Sequence, residues 1–428
     1  MEIIRERLSN GLTVILAPIE GRKTVCEMFA VRAGWKYEWP EIYGLSHFIE
    51  HMMFRGTKKR PSGEKITGEI ESRGGEINAG TNDEYTVYVV KIAGRFINIA
   101  HDVISDMILN SKLESAKIKI EKGPILEERS MSLDNAVAYL QNILWPKLLY
   151  GDQPVAQMGL GTEETITKMK RKQFLDYIDG LYVAPNSAVI VTGQIENPRE
   201  VIDDLESYYG KLSSREPTIH KPPVIEKQRR PRISFKHWKI EQTHVLLGVR
   251  GYSIFHPDRY ALKVLEKILG GGMSSRMFIE VREKRGLAYV VSSGIDFQTD
   301  TGWFVTYAGL NSKRIAEGLE VMMEQYRRLA DEKISPRELK DAQDSIIGSQ
   351  EMELENADNL ASFIAEQFLL KNEIETPEER TEKFKAVSAD DVQRVVQDIC
   401  QNKKLNLAIV GPYKHYKLKG KLYQILRF

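Results

Sequence analysis

His47-Phe48-Ile49-Glu50-His51 places two imidazoles and a carboxylate where a helix would bring them onto one face. At about 100° per residue the three polar side chains share an arc of roughly 100°, while Leu45, Phe48, Ile49, Met52 and Met53 fall on the opposite side. The segment therefore reads as an amphipathic helix with one face for metal and one for a core. Imidazoles at i and i+4 stand one above the other, about 5 to 6 Å apart at Cβ, so both can reach a single tetrahedral Zn²⁺. A catalytic zinc keeps three protein ligands and an open position, so the pattern demands a carboxylate from elsewhere in the chain. Glu50 lies between the histidines and suits a different role, that of general base, as in the related H-E-x-x-H arrangement. Paired histidines at this spacing are common by chance; the full H-x-x-E-H on an amphipathic helix is far more specific.

Extended to His47-Phe-Ile-Glu50-His51-Met-Met-Phe-Arg-Gly56-Thr57, the stretch resembles the signature of the inverzincin metallopeptidases, the family of pitrilysin, insulin-degrading enzyme and mitochondrial processing peptidase. The resemblance implies a third ligand, a Glu ending an E-R-x-V-x-x-x-E pattern on a later helix. Glu121-Lys-Gly-Pro-Ile-Leu-Glu127-Glu128 fits that frame, which makes Glu128 the ligand and Glu121 a carboxylate that orients a histidine. Glu127, one position off, competes for the ligand role. The chain departs from the pattern at Gly123-Pro124, where a helix either kinks or begins. Glu128 is helical in both cases, whereas Glu121 is not necessarily so.

Two further stretches carry the resemblance. In Arg282-Glu-Lys-Arg285-Gly286-Leu287-Ala288-Tyr289 an Arg and a Tyr are spaced as in the family's second half, where such a pair holds substrate and the developing oxyanion. A guanidinium and a phenol are suitable donors to a tetrahedral intermediate; a basic loop followed by a packed tyrosine is the plain alternative. In Gly74 to Tyr88, Asn78, Ala79 and Thr81 match an edge strand that pairs with substrate through main-chain hydrogen bonds. An ordinary hairpin accounts for that stretch equally well.

At 428 residues the chain exceeds one core. Strand-like and helix-like patterns repeat on either side of the proline-rich Ser213 to Pro231. Leu12 to Leu16, Glu27 to Val31, Val87 to Ala93 and Ala188 to Gly193 read as strands in the first half, and His244 to Val249, Gly302 to Ala308 and Leu405 to Gly411 in the second. Phe96 to Leu113 and Ser312 to Asp331 read as helices. The expectation is an α+β chain of two homologous domains of about 200 residues, 1–213 and 232–428 joined by a linker 214–231, each an antiparallel-rich mixed sheet packed with helices. Superposing Val31-Arg-Ala on Val249-Arg-Gly and Tyr43 on Tyr260 puts the histidine helix on Lys263 to Ile268, with no metal ligand, and Glu128 near Ile347-Gly348-Ser349, with no carboxylate. One zinc per chain follows.

Lys plus Arg is 61 against 60 for Asp plus Glu, so no global field attracts nucleic acid or an anionic membrane. No apolar run is long enough to insert in a membrane, the amino-terminal residues are too charged for a signal peptide, and Cys26 and Cys400 show no disulfide or metal spacing. A cytoplasmic enzyme is expected, although a mature chain that has shed a targeting segment would read the same. Gly270-Gly271-Gly272 lacks the Lys-Ser/Thr of a phosphate loop and reads as a helix end; the run Arg229-Arg230-Pro231-Arg232 reads as a solvated patch. His101, His220, His237, His244, His256 and His415 carry no ligand spacing and read as surface or packing histidines.

Relatives with four such domains enclose a chamber in one chain, so the resemblance implies that this two-domain chain dimerises as a clamshell. The zinc of one protomer would then face Arg282 and Tyr289 of the other. With both motifs in one chain a homodimer is favoured over a heterodimer with an inactive sister. The expected activity is zinc-dependent endopeptidase cleavage of peptides or unfolded segments, with a leader-specific processing peptidase and a non-catalytic assembly subunit as alternatives.

Overall fold

The computed structural model of the chain describes residues 2–413 and 419–428. Two sheets organise it. The first has the order β1-β2-β6-β3-β5-β4, formed by Ile4–Arg7 (β1), Thr13–Pro18 (β2), Thr24–Val31 (β3), Glu76–Thr81 (β4), Thr86–Ala93 (β5) and Ser187–Gly193 (β6). The second has the order β7-β11-β8-β10-β9, formed by Arg232–His237 (β7), Gln242–Arg250 (β8), Ala288–Phe297 (β9), Gly302–Asn311 (β10) and Leu405–Gly411 (β11). Pairings are antiparallel except β2 with β6 and β7 with β11. Five strands of one sheet thus repeat the other in order and direction, and β1 is the extra strand. The expected α+β class with antiparallel-rich mixed sheets describes both.

The helices that position the functional residues are α1 (Leu45–Met53), α2 (Gly63–Glu71), α3 (Ile97–Asn110) and α4 (Ser115–Asp134). They cover one face of the first sheet through Leu45, Phe48, Ile66, Val103, Ile104 and their neighbours. Strands β6 and β11 are buried along their whole length, so both faces of each sheet need cover. On the second face of the first sheet Ile15, Met28 and Ile190 pack against Leu360, Ile364 and Phe368 of the helix Ala357–Lys371. On the corresponding face of the second sheet Leu246, Val305 and Val410 pack against Leu140, Trp145 and Leu149.

Compact units consequently exchange segments relative to a cut at residues 214–231. One comprises Met1–Ser130, Gln157–Pro222 and Glu351–Thr376; the other comprises Met131–Ala156, Pro223–Gln350 and Pro377–Phe428. Among the described residues no helix is long and apolar enough to cross a membrane.

Candidate metal centre

Helix α1 is anchored by its apolar side, since Leu45, Phe48, Ile49, Met52 and Met53 are all buried. Phe48 meets the edge of Phe174 at 4.8 Å between ring centroids. The helix starts at Gly44, whose left-handed φ of 94° and close approach to the Gly161 backbone leave no room for a side chain. Buried Glu38 caps it, accepting hydrogen bonds from the Gly44 and Ser46 amides at 2.7 Å each and from Ser46 Oγ at 2.5 Å. Burial pushes the Glu38 carboxyl up to about 7 against the pull of those donors.

The other face carries the metal-type side chains. The Nε2 atoms of His47 and His51 lie 3.5 and 3.6 Å from one oxygen of Glu128. These separations are long for hydrogen bonds but close to the edge of about 3.3 Å spanned by ligands sitting 2.0 to 2.1 Å from a tetrahedral Zn²⁺. Among the described residues this is the one group of three or more His, Cys, Asp or Glu so disposed, with donor atoms all within 4.8 Å of one another.

Glu121 fixes the tautomer. It is 1% exposed, and its Oε1 accepts from His51 Nδ1 at 3.0 Å and from Arg55 Nη2 at 2.7 Å, while Oε2 pairs with Arg55 Nε. A proton held on Nδ1 leaves the Nε2 lone pair of His51 facing Glu128. That hydrogen bond with Glu121 raises the His51 imidazole above its ordinary range against burial, whereas burial and then the His51 charge push His47 down to about 4. Burial raises Glu121, but the donors His51 and Arg55 outweigh it and keep the carboxylate ionised. A neutral His47, a tautomer-locked His51 and a free carboxylate oxygen converging on one point fit a zinc ion.

Helix α4 runs without a break through Pro124. The reading in which a helix begins at Pro124 therefore does not hold, and Glu121 is helical. Proline costs a helix least where water can reach the carbonyl left without a donor; here that carbonyl belongs to Ile120, 71% exposed, and Pro124 is exposed too. Glu121, Ile125 and Glu128 consequently share one face, with Ile125 buried between the carboxylates. Glu127 points to solvent and is not part of the cluster.

Glu50 Oε2 accepts a hydrogen bond from Thr81 Oγ1 at 2.5 Å. Burial raises the Glu50 carboxyl, opposed by that hydroxyl. Thr81 ends β4, an edge strand. On the same strand Ala79 is partly buried against the core, and the exposed Asn78 turns its Oδ1 onto the Ala79 amide at 2.9 Å. In the other unit the Arg282 guanidinium lies over the rings of Phe278 at 4.7 Å and Tyr289 at 5.2 Å, and Tyr289 is 71% exposed.

Three roles were not anticipated from the sequence. Arg55 stands four residues after His51, so helical spacing could have paired it with the residue that orients His51. Thr81, read from the sequence as part of a strand that pairs with substrate, also touches Glu50, and Glu38 caps α1 across a loop that no periodicity links to it. His101 is fully buried in an unanticipated polar contact, its Nδ1 2.5 Å from Glu27 Oε2 while the Tyr209 hydroxyl donates to Oε1 at 2.9 Å. His415 lies outside the described residues.

Comparison with known proteins bears on both halves. The family profile described as "Insulinase (Peptidase family M16)" matches residues 14–159, and "Peptidase M16 inactive domain" matches 168–346. The chain is 30% identical over 417 residues to an uncharacterized zinc protease of Bacillus subtilis, covering 96% of this chain and 98% of that protein. It is 29% identical over 415 residues to one of Streptomyces coelicolor, covering 96% and 90%. The crystal structure of a protease from Helicobacter pylori superposes with a TM-score of 0.90 at 21% identity, over 96% of this chain and 99% of that one.

Proposed function

The chain belongs to peptidase family M16, and from that premise we propose that it is a zinc-dependent endopeptidase acting on peptides or unfolded protein segments. The observation that carries this reading is the convergence of His47, His51 and Glu128, with Glu50 beside them. It is supported by the zinc protease names of the relatives. The three ligands would hold one zinc per chain. A bound zinc supplies Lewis acidity and brings the pKa of water down to about 7.

Glu50 takes a proton from the attacking water and returns it to the leaving amine, work of this kind contributing about 10²- to 10⁴-fold. Burial raises its carboxyl, which makes it a stronger proton acceptor than a solvated glutamate. Glu121 and Arg55 keep the His51 ring in place. The open edge of β4 at Asn78 to Thr81 binds peptide main chain by strand pairing, which tolerates many sequences. Arg282 and Tyr289 steady the oxyanion, each donor of this kind being worth about 2.7 to 4 kcal/mol. We place them in the site of a second copy of the chain, in a homodimer that encloses the peptide. Both cysteines are buried and unpaired, in keeping with the cytoplasm.

Cleavage mapping on a mixed peptide set tests the reading. Cuts at many sites, abolished by a chelator and restored by zinc, are expected; a processing peptidase would leave most of the set whole, and no cleavage by zinc-loaded protein would refute peptidase function. Mixing Glu50→Gln protein with an Arg282→Ala, Tyr289→Phe double variant tests the dimer. Activity returns in the mixture only if one site draws on two chains.

A further inference from the structure

We propose that Thr81 is a positioning residue, whose hydroxyl sets the orientation of the Glu50 carboxylate and ties that base to the edge strand on which a peptide would pair. The inference rests on the peptidase reading above. A glutamate side chain has three torsions and by itself sweeps a wide arc, whereas a β-branched threonine on a strand is stiff at χ1. The 2.5 Å hydrogen bond from Thr81 Oγ1 to Glu50 Oε2 transfers that stiffness to the carboxylate.

The direction of the hydrogen bond is itself determined. Thr86, the cross-strand partner of Thr81, is buried, and its Oγ1 lies 2.6 Å from the Ala33 carbonyl but 3.3 Å from Thr81 Oγ1. The Thr86 proton therefore goes chiefly to Ala33. That leaves the Thr81 proton for Glu50, which in its ionised form can only accept. Glu50 Oε1 has no hydrogen-bond partner among the described residues, so the oxygen not held by Thr81 is the one left to take up a proton.

Thr81 is also the last residue of β4, whose outer side has no strand beside it among the described residues. A peptide pairing along that side immobilises the residue that holds the base. Binding energy gained along the strand is thereby used to orient the group that acts on the scissile bond, and the effect belongs in kcat rather than in KM.

The test pairs Thr81→Val, which keeps the shape and removes the hydroxyl, with Thr81→Ser, which keeps the hydroxyl. In Thr81→Val we expect unchanged zinc content, KM within about twofold and kcat lowered roughly 10- to 100-fold, with Thr81→Ser restoring most of the loss. In a Glu50→Gln background Thr81→Val should leave the Kd of an uncleaved reporter peptide unchanged, because its effect runs through Glu50. A crystal structure of Thr81→Val should show the Glu50 carboxylate displaced. Unchanged kcat, weaker peptide binding in the Glu50→Gln background, or a Glu50 carboxylate in its original place would each overturn the proposal. If the unaltered zinc-loaded chain cuts no peptide, the peptidase reading fails instead, and the position of Glu50 in the Thr81→Val crystal still decides whether Thr81 holds it.

Discussion

Helix α1 and the helix Arg259–Gly270 occupy matching places beside sheets of matching order, and of the two only α1 carries histidines. One constant offset lays Tyr43 on Tyr260, His47 on Val264, Glu50 on Lys267, His51 on Ile268, Glu121 on Glu338 and Glu128 on Ser345. Glu338 also meets an arginine, although the offset lays Arg55 on Gly272 and the arginine comes four residues later. Arg276 grips Glu338 through two hydrogen bonds of 2.7 and 2.9 Å, as Arg55 grips Glu121. The offset places the counterpart of Glu128 at Ser345, a few residues before the stretch 347–349 indicated by sequence, and again without a carboxylate. Lys267, Ile268, Glu338, Ala342 and Ser345 contribute to the lining of a cavity of about 270 Å³. A carboxylate-guanidinium pair is thus common to both units, while the cluster of His47, His51 and Glu128 is found in the first alone among the described residues.

The comparison breaks first at the ligands. His51→Ala should abolish zinc binding by elemental analysis and reduce peptidase activity to background; retained zinc would remove α1 from the metal site. Glu50→Gln should keep its zinc and lose about 10²- to 10⁴-fold in kcat, whereas Lys267→Gln at the matching place should change neither quantity. Equal losses in the two variants would show that the cavity beside Lys267 takes part in the reaction.

The supporting pairs sharpen it further. Glu121→Gln should weaken zinc affinity about 10- to 100-fold in a competition titration. Glu338→Gln should leave that affinity alone and lower unfolding stability by about 1 kcal/mol, Arg276 being partly exposed.

The smallest effect concerns how each helix begins. Asp258, before Arg259–Gly270, is bound by Arg394, but Glu38 at α1 has no cationic partner among the described residues. Because burial raises Glu38 from 4.5 to about 7, its contribution to stability is complete below about pH 4.5 and is lost as pH rises through 7. The melting temperature of Glu38→Gln should therefore gain on that of the unaltered chain between pH 5 and 8. A constant difference across that range would show that Glu38 does not titrate there.

Much of the site was legible because a helix repeats itself. The positions of His47, Glu50 and His51 on one face, and of Glu121 and Glu128 on another, follow from residues per turn. Gly123-Pro124 blurred that regularity, since a proline's cost depends on whether the freed carbonyl is wet, and exposure is not written in the local sequence. Strands β1, β7 and β9 went unread, whereas the buried strands read well for a similar reason. Their covers did not: an all-apolar strand such as β6 announces that both faces are buried but not that the helix Ala357–Lys371 supplies the second cover.

By itself the sequence determined the α+β class, the duplicated pattern, the paired imidazoles with a glutamate between them and the lack of an H-x-x-E-H pattern in the second half. Each of these depends on residues close in the chain or on a repeat along it. The tertiary structure alone brought Glu128 rather than Glu127 beside the two histidines, joined Arg55 to Glu121, brought Thr81 onto Glu50 and assigned residues 351–376 to the first unit. Those outcomes depend on how far one packed element turns toward another, which is set by the burial of both their apolar faces together and by no segment alone.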